Sequence, residues 1–134
     1  MIYALDTNTV SYFIQDNLTV ISRLRAELVA GNKIVISSVV YYEVRRGFKH
    51  KASPKKERAF SRMCTLYPIV EMNIDAWEYA ADIYGERRKT GKSVEDTDIL
   101  IAALCISKGY TLVTNNSKHF VGTKELNLMD WMQP

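Results

Sequence analysis

The sequence is short of the residues that staple or metallate a small fold. Its 134 residues hold two cysteines, Cys64 and Cys105, and two histidines, His50 and His119. The cysteines lie far apart without CxxC spacing, each among apolar neighbours on a predicted helix. They are expected as buried free thiols, so neither a disulfide framework nor structural zinc is expected. No apolar run approaches the roughly 18 residues that cross a bilayer. The opening MIYALDTNTV carries no basic segment and no small-residue cleavage site. It does not read as a signal peptide, and the expected compartment is the cytoplasm. Neither a repeat nor a linker is visible. Apolar residues make up 47% and charged residues 25%, which speaks against disorder, and the length suits one domain, 1–134.

Net charge is also small, +3 overall, but it is unevenly spread. Between Arg45 and Arg62 lie eight cations against Glu57 alone, a net of +7 within 18 residues, so the rest of the chain sums to −4. A basic segment on a mildly acidic body suits a polyanion, although a solvated helix face accounts for it equally well.

Hydrophobic periodicity divides the chain into alternating elements. Ile2–Leu5 reads as a buried strand, and Thr7–Gln15 as a short helix. Leu18–Ala30 carries a helical stripe of Leu18, Ile21, Leu24, Leu28 and Val29, ended by Gly31-Asn32. Ile34–Ile36 is strand-like. Ser37-Ser38 caps a helix over Val39–Phe48, and a basic helix runs from Pro54 to Leu66. Pro68–Val70 is extended. Asp75 caps a helix with Trp77, Ala80, Ala81 and Tyr84 at helical spacing, and Gly91 closes the following loop. Asp96 or Thr97 opens the apolar helix Ile99–Ser107, ended by Gly109. Tyr110–Val113 and Leu126–Met129 are the last strands. Alternation of this kind predicts an α/β fold with a mostly parallel sheet flanked by helices.

Ligands of open parallel sheets bind beyond the carboxyl ends of the strands, so the polar residues at those ends matter. Asp6 follows the first strand, and Asn115 and Asn116 follow Tyr110–Val113. Glu43 lies one turn inside its helix, and Asp96 and Asp98 stand at the start of theirs. Each has an ordinary structural explanation: a cap for Asp6, a turn for the asparagines, the helix dipole for Asp96 and Asp98, a surface position for Glu43. Taken together, Asp6, Glu43, Asp98 and the Asn115-Asn116 pair come from four segments that a parallel sheet gathers at one edge. Clustered carboxylates repel one another unless a cation neutralises them. An all-oxygen donor set suits Mg²⁺, with Mn²⁺ as a substitute. Such a cation beside a basic segment points to phosphodiester chemistry.

These residues carry a family resemblance over essentially the whole chain. LDTNT (Leu5–Thr9), SSVVYYEVRRG (Ser37–Gly47), DILIAA (Asp98–Ala103), TLVTNNSKHF (Thr111–Phe120) and LNLMDW (Leu126–Trp131) resemble, in order, the motifs of PIN-domain ribonucleases, specifically VapC toxins of type II toxin–antitoxin systems. The resemblance implies a PIN-like three-layer sandwich with a central sheet between helices. It implies a Mg²⁺- or Mn²⁺-dependent endoribonuclease acting on structured RNA such as tRNA, with initiator tRNA cut in the anticodon stem-loop by some relatives. It also implies a homodimer and a cognate VapB-type antitoxin that blocks the site and brings the DNA-binding domain. Asp6, Glu43 and Asp98 would hold the metal, with Asn116 completing the catalytic set. Asn116 stands where many members carry Asp. An amide oxygen still ligates a cation but adds no charge, which leaves a second ion open. Secondary candidates are Asp96, Asn115, Thr7 and Asn8, and RNA contact is expected from Arg45, Arg46, Lys49 and Lys55. Metal-activated water would attack phosphorus and leave a 5′-phosphate. Tyr41 and Tyr42 are expected to pack in the core, with stacking on RNA bases as the alternative, and Trp77 and Trp131 to anchor the core or an interface.

Three other readings compete. LDTNT partly resembles the nucleophile loop of haloacid-dehalogenase-type phosphatases, but Asn8 occupies the proton-transfer position. A catalytically degenerate PIN domain would bind RNA or a partner without cutting. A metal-free histidine ribonuclease would have to use His50 and His119.

Overall fold

The computed structural model describes residues 1–92, 95–120, 123 and 125–133. Five strands and six helices follow in the order β1 (Ile2–Leu5), α1 (Thr7–Ile14), α2 (Leu18–Val29), β2 (Lys33–Ser37), α3 (Ser38–His50), α4 (Pro54–Leu66), β3 (Ile69–Val70), α5 (Ile74–Lys89), α6 (Asp96–Lys108), β4 (Thr111–Val113) and β5 (Asn127–Met129), with a 3₁₀ turn at Ser117–Phe120 before β5. The strands pair in parallel in the order β3-β2-β1-β4-β5. This is the α/β architecture expected from the alternation. The central strands are buried on both faces, which explains their continuous apolar runs IYAL, KIVIS and TLV.

Strand order reverses at β1. The chain moves outward through β2 and β3, then returns past β1 to β4 and β5. Right-handed crossovers, the rule for parallel strands, would send the helices before and after this reversal to opposite faces. Helix α1 packs against α2, α3 and α4, α5 packs against α6, and α3 also reaches α6. The reversal opens a crevice beyond the carboxyl ends of β1 and β4.

Several local expectations are corrected. The cap of α5 is Asn73, whose Oδ1 accepts from the Ala76 N–H at 2.8 Å; Asp75 lies in the first turn. The buried face of α5 is Ala76 and Ala80, with Ala80 set against Ile99 and Ala103 of α6. Close helix–helix approach needs those small residues, so Trp77 and Tyr84 of the predicted stripe turn outward and are about half exposed, at 49% and 51%. Trp131, by contrast, is buried against Tyr3. On α2 only Val20 and Leu24 are fully buried, while Leu18 and Val29 at the two ends of the helix are exposed. Tyr41 and Tyr42 are exposed, Tyr41 leaning on Phe60 and Tyr42 lying under the Arg46 guanidinium. Cys105 is a buried free thiol, but Cys64 is only half-buried. Tyr110 precedes β4 and is not part of it. Among the described residues, no helix is long and apolar enough to cross a membrane.

Candidate active site

Asp6 is placed by two elements at once. Its N–H donates to the Val113 carbonyl at 3.0 Å, continuing the β1–β4 ladder, and its Oδ1 caps α1 by accepting from the Thr9 N–H at 2.8 Å. Thr9 ties the same corner down through a hydroxyl donated to Val113 O at 3.2 Å. The Asp6 carboxyl is therefore anchored and almost wholly buried, and burial pushes its pKa up. Hydrogen bonds from Thr114 and Thr9 oppose the rise, and the Glu43 charge adds to it.

Glu43 comes from α3. The Thr7 hydroxyl, one residue beyond Asp6, donates to its Oε1 at 2.6 Å. Arg46, one turn further along α3, reaches Oε2 at 3.3 Å. Asp98 sits in the first turn of α6. Its pKa is raised by burial first, then by the charges of Glu43 and Glu95, and His119 opposes this from 3.4 Å. Asn116 follows β4; its N–H donates to the Thr114 hydroxyl at 3.0 Å, and its carbonyl accepts from the His119 N–H at 2.9 Å.

These side chains line one open cleft of about 620 Å³ at the crevice between β1 and β4. The cleft brings together Asp6, Thr7, Asn8, Glu43, Asp98 and Asn116 of the sequence candidates. It does not include Asp96; its neighbour Glu95, exposed like Asp96, lines the cleft instead. Nor does it include Asn115, whose amide donates to the Tyr12 hydroxyl at 3.0 Å. The basic candidates fall elsewhere too. Arg45 stands 3.8 Å from Glu57 of α4, Lys49 and Lys55 are exposed outside the cleft, and Arg46 reaches it only through Glu43. Sequence reasoning missed Glu95, Arg87, Lys92, Lys118 and, as a neighbour of Asp98, His119. Only the position of Lys118 and His119 just after Asn116 could have hinted at them.

The donor chemistry of the cleft fits a hard divalent cation. Asp6, Glu43, Glu95 and Asp98 put four carboxylates and Asn116 an amide oxygen around one space, with no sulfur ligand. Burial first, and the charge of neighbouring carboxylates after it, raise the pKa values of Asp6 and Asp98, and a cation bound among them would oppose that rise. Among the described residues no three acidic, His or Cys side chains form a ready-made cage. Thr7 and Arg46 engage Glu43, and His119 engages Asp98.

The PIN domain family profile matches residues 3–125. Ribonuclease VapC2 of Rickettsia felis is 32% identical over 134 residues, covering 98% of each chain. The tRNA(fMet)-specific endonuclease VapC of Shigella flexneri is 28% identical over 130 residues, covering 96% of this chain and 97% of that one. Among solved structures, VapBC2 from Rickettsia felis, bound to a DNA fragment from their promoter, superposes with a TM-score of 0.90 at 28% identity. It covers 98% of this chain and 99% of that one. The chain thus belongs to the PIN-domain family, among its VapC ribonucleases.

Proposed function

We propose that the chain is the toxin of a type II toxin–antitoxin pair, a Mg²⁺- or Mn²⁺-dependent endoribonuclease of structured RNA, with tRNA as the substrate class. The observation that carries this reading is the convergence of Asp6, Glu43, Asp98 and Asn116 on one cleft at the sheet's reversal point. The Shigella relative's name supports tRNA, and initiator tRNA within it. The Rickettsia structure supports a VapB-type antitoxin, with DNA reached through that partner. A homodimer working in the cytoplasm completes the proposal.

Asp6, Glu43 and Asp98 would hold the cation, and Asn116 would orient a water or a phosphate oxygen. When bound, the cation supplies positive charge to the phosphate and acidifies water. The chain's own contribution is positional. Asp6 is locked by the α1 cap, Glu43 is turned toward the cleft by Thr7, and Asp98 is steadied by His119. No histidine need accept a proton, so the products carry 5′-phosphate and 3′-hydroxyl ends.

The test is cleavage of end-labelled bulk tRNA in Mg²⁺ or Mn²⁺, with EDTA and Asp98→Asn as controls and the fragment ends mapped. Metal-dependent cuts lost in both controls support the proposal; cuts that survive both refute it. A second reading, an RNA-binding domain that does not cut, is favoured by one observation. The carboxylates are already engaged by Thr7, Arg46 and His119, and Asn116 brings no charge. RNA retained intact in the same assay would establish it.

A further inference from the structure

The cleft has a second wall that the acidic chemistry does not explain. Lining it together with the four carboxylates are Arg87, Lys92 and Lys118, drawn from two separate segments. Their placement is built. Helix α5 ends with Gly91 at φ 71°, where the Gly91 N–H donates to Arg88 O at 3.3 Å and the Lys92 N–H to Arg87 O at 3.0 Å. That is a Schellman termination, and it folds Lys92 back beside Arg87. The Arg87 guanidinium then crosses to the segment after β4. Its Nη2 donates to His119 O at 3.2 Å and to the Thr123 hydroxyl at 2.9 Å. Among the described residues, its Nε and Nη1 have no partner, and Arg87 lines the cleft. Arg87 therefore braces the turn that carries Lys118 and His119 while itself lining the cleft.

Three cations serve no purpose for a divalent ion, which they repel. They do suit the phosphates on either side of a scissile bond. Resting on the nuclease reading above, we infer that Arg87, Lys92 and Lys118 form the phosphate-binding wall of the cleft. This wall holds an unpaired RNA strand against the carboxylates, in place of the basic α3–α4 segment. An unpaired strand suits this wall, because a nucleotide or two splayed from a loop can turn into a cleft of about 620 Å³, whereas bases kept paired and stacked in a duplex cannot enter it. Sequence-specific RNA recognition works in the same way, on loops with unstacked bases.

The test measures RNA binding, separately from cutting, in the Asp98→Asn background with Mg²⁺ present. The probes are a fluorescent hairpin-loop RNA and a fully paired duplex of equal length. Anisotropy is followed over a salt series for Arg87→Ala, Lys92→Ala and Lys118→Ala. Lys49→Ala and Lys55→Ala serve as controls. Each wall variant should weaken loop binding and lower the slope of log K against log salt by about 0.7 per lost single-strand phosphate contact. The two control variants should leave both unchanged. Arg87→Lys should recover the slope without the full affinity, because it keeps the charge and loses the two-bond brace. Lys92 and Lys118 are exposed, so their variants test the wall even where Arg87→Ala unfolds. An unchanged slope in both lysine variants, loss confined to Lys49 and Lys55, or a duplex bound as tightly as the loop would overturn the inference. Wall-dependent binding by a wild-type protein that never cuts would instead sink the nuclease reading and leave the wall standing.

Discussion

Replacing Asp6 by Asn and, separately, by Ala divides its charge from its cap. Asn keeps an oxygen at the position that accepts from the Thr9 N–H at 2.8 Å, and Asn and Asp cap helices about equally well. Ala deletes the acceptor and strands a buried N–H, at a cost of about 1 kcal/mol. In a domain of this length that corresponds to roughly 3–4 °C in Tm. Both variants remove a buried carboxylate whose native pKa lies above its unfolded value. Such a group binds its proton more tightly when folded. Its charged form therefore costs stability above the folded pKa, and that cost fades as pH falls through the folded value toward the unfolded one. At pH 7 without metal, Asp6→Asn should melt above wild type, and Asp6→Ala should melt below Asp6→Asn by the cap's contribution. The gap between wild type and Asp6→Asn should close on acidification. Excess Mg²⁺ should raise the wild-type Tm and leave both variants unmoved, since a ligand stabilises only the state that binds it. Thermal melts by circular dichroism at pH 7 and across the acid range read all of this. An Asp6→Asn protein that is less stable than wild type at pH 7 would refute the claim that burying this charge costs more than the hydrogen bonds from Thr114 and Thr9 return.

Other outcomes follow from the same geometry. Thr7→Val removes the hydroxyl that donates to Glu43 at 2.6 Å. It should lower metal affinity by about 10- to 100-fold, the usual effect of losing a group that orients a ligand, with Tm nearly unchanged. Calorimetric Mn²⁺ titration checks it. Gly109 ends α6 at φ 71°, so Gly109→Ala should cost about 1 kcal/mol in a denaturant melt, the penalty for a Cβ in the left-handed region. The Cys105 thiol is buried and its pKa is pushed up to about 12. It should resist a thiol reagent in the native protein and react only on unfolding, while half-buried Cys64 reacts first; mass-mapped alkylation distinguishes them.

Legibility varied with the range of the interaction. Helix α4 was readable residue by residue, because Pro54 at its first turn is a local signal. Gly109 likewise marked the end of α6 through its own backbone. The inward face of α5 was not readable. Trp77 and Tyr84 look like core residues until the nearness of α6 restricts that face to Ala76 and Ala80. The acids split the same way. Asp6, Glu43 and Asp98 stood out because strand ends and short motifs flag them. Glu95 carries no motif and is drawn to the cleft only by the way α6 begins. The basic segment was the plainest charge feature of the chain, and the structure puts Arg45 beside Glu57 and leaves Lys49 and Lys55 outside the cleft.

The alternation of strands and helices, the parallel sheet that this alternation implies and the acids at the strand ends are legible along the chain. All of these are written in neighbouring residues, by hydrophobic period, capping and turn chemistry. Which charges share a cavity depends instead on packing between distant segments. Arg87 and Lys118 are 31 positions apart, and a Schellman turn together with a guanidinium reaching His119 O and Thr123 places them on one wall. Charge is a property of single residues, but a binding surface is a property of distances, and distances across a sheet are set by packing.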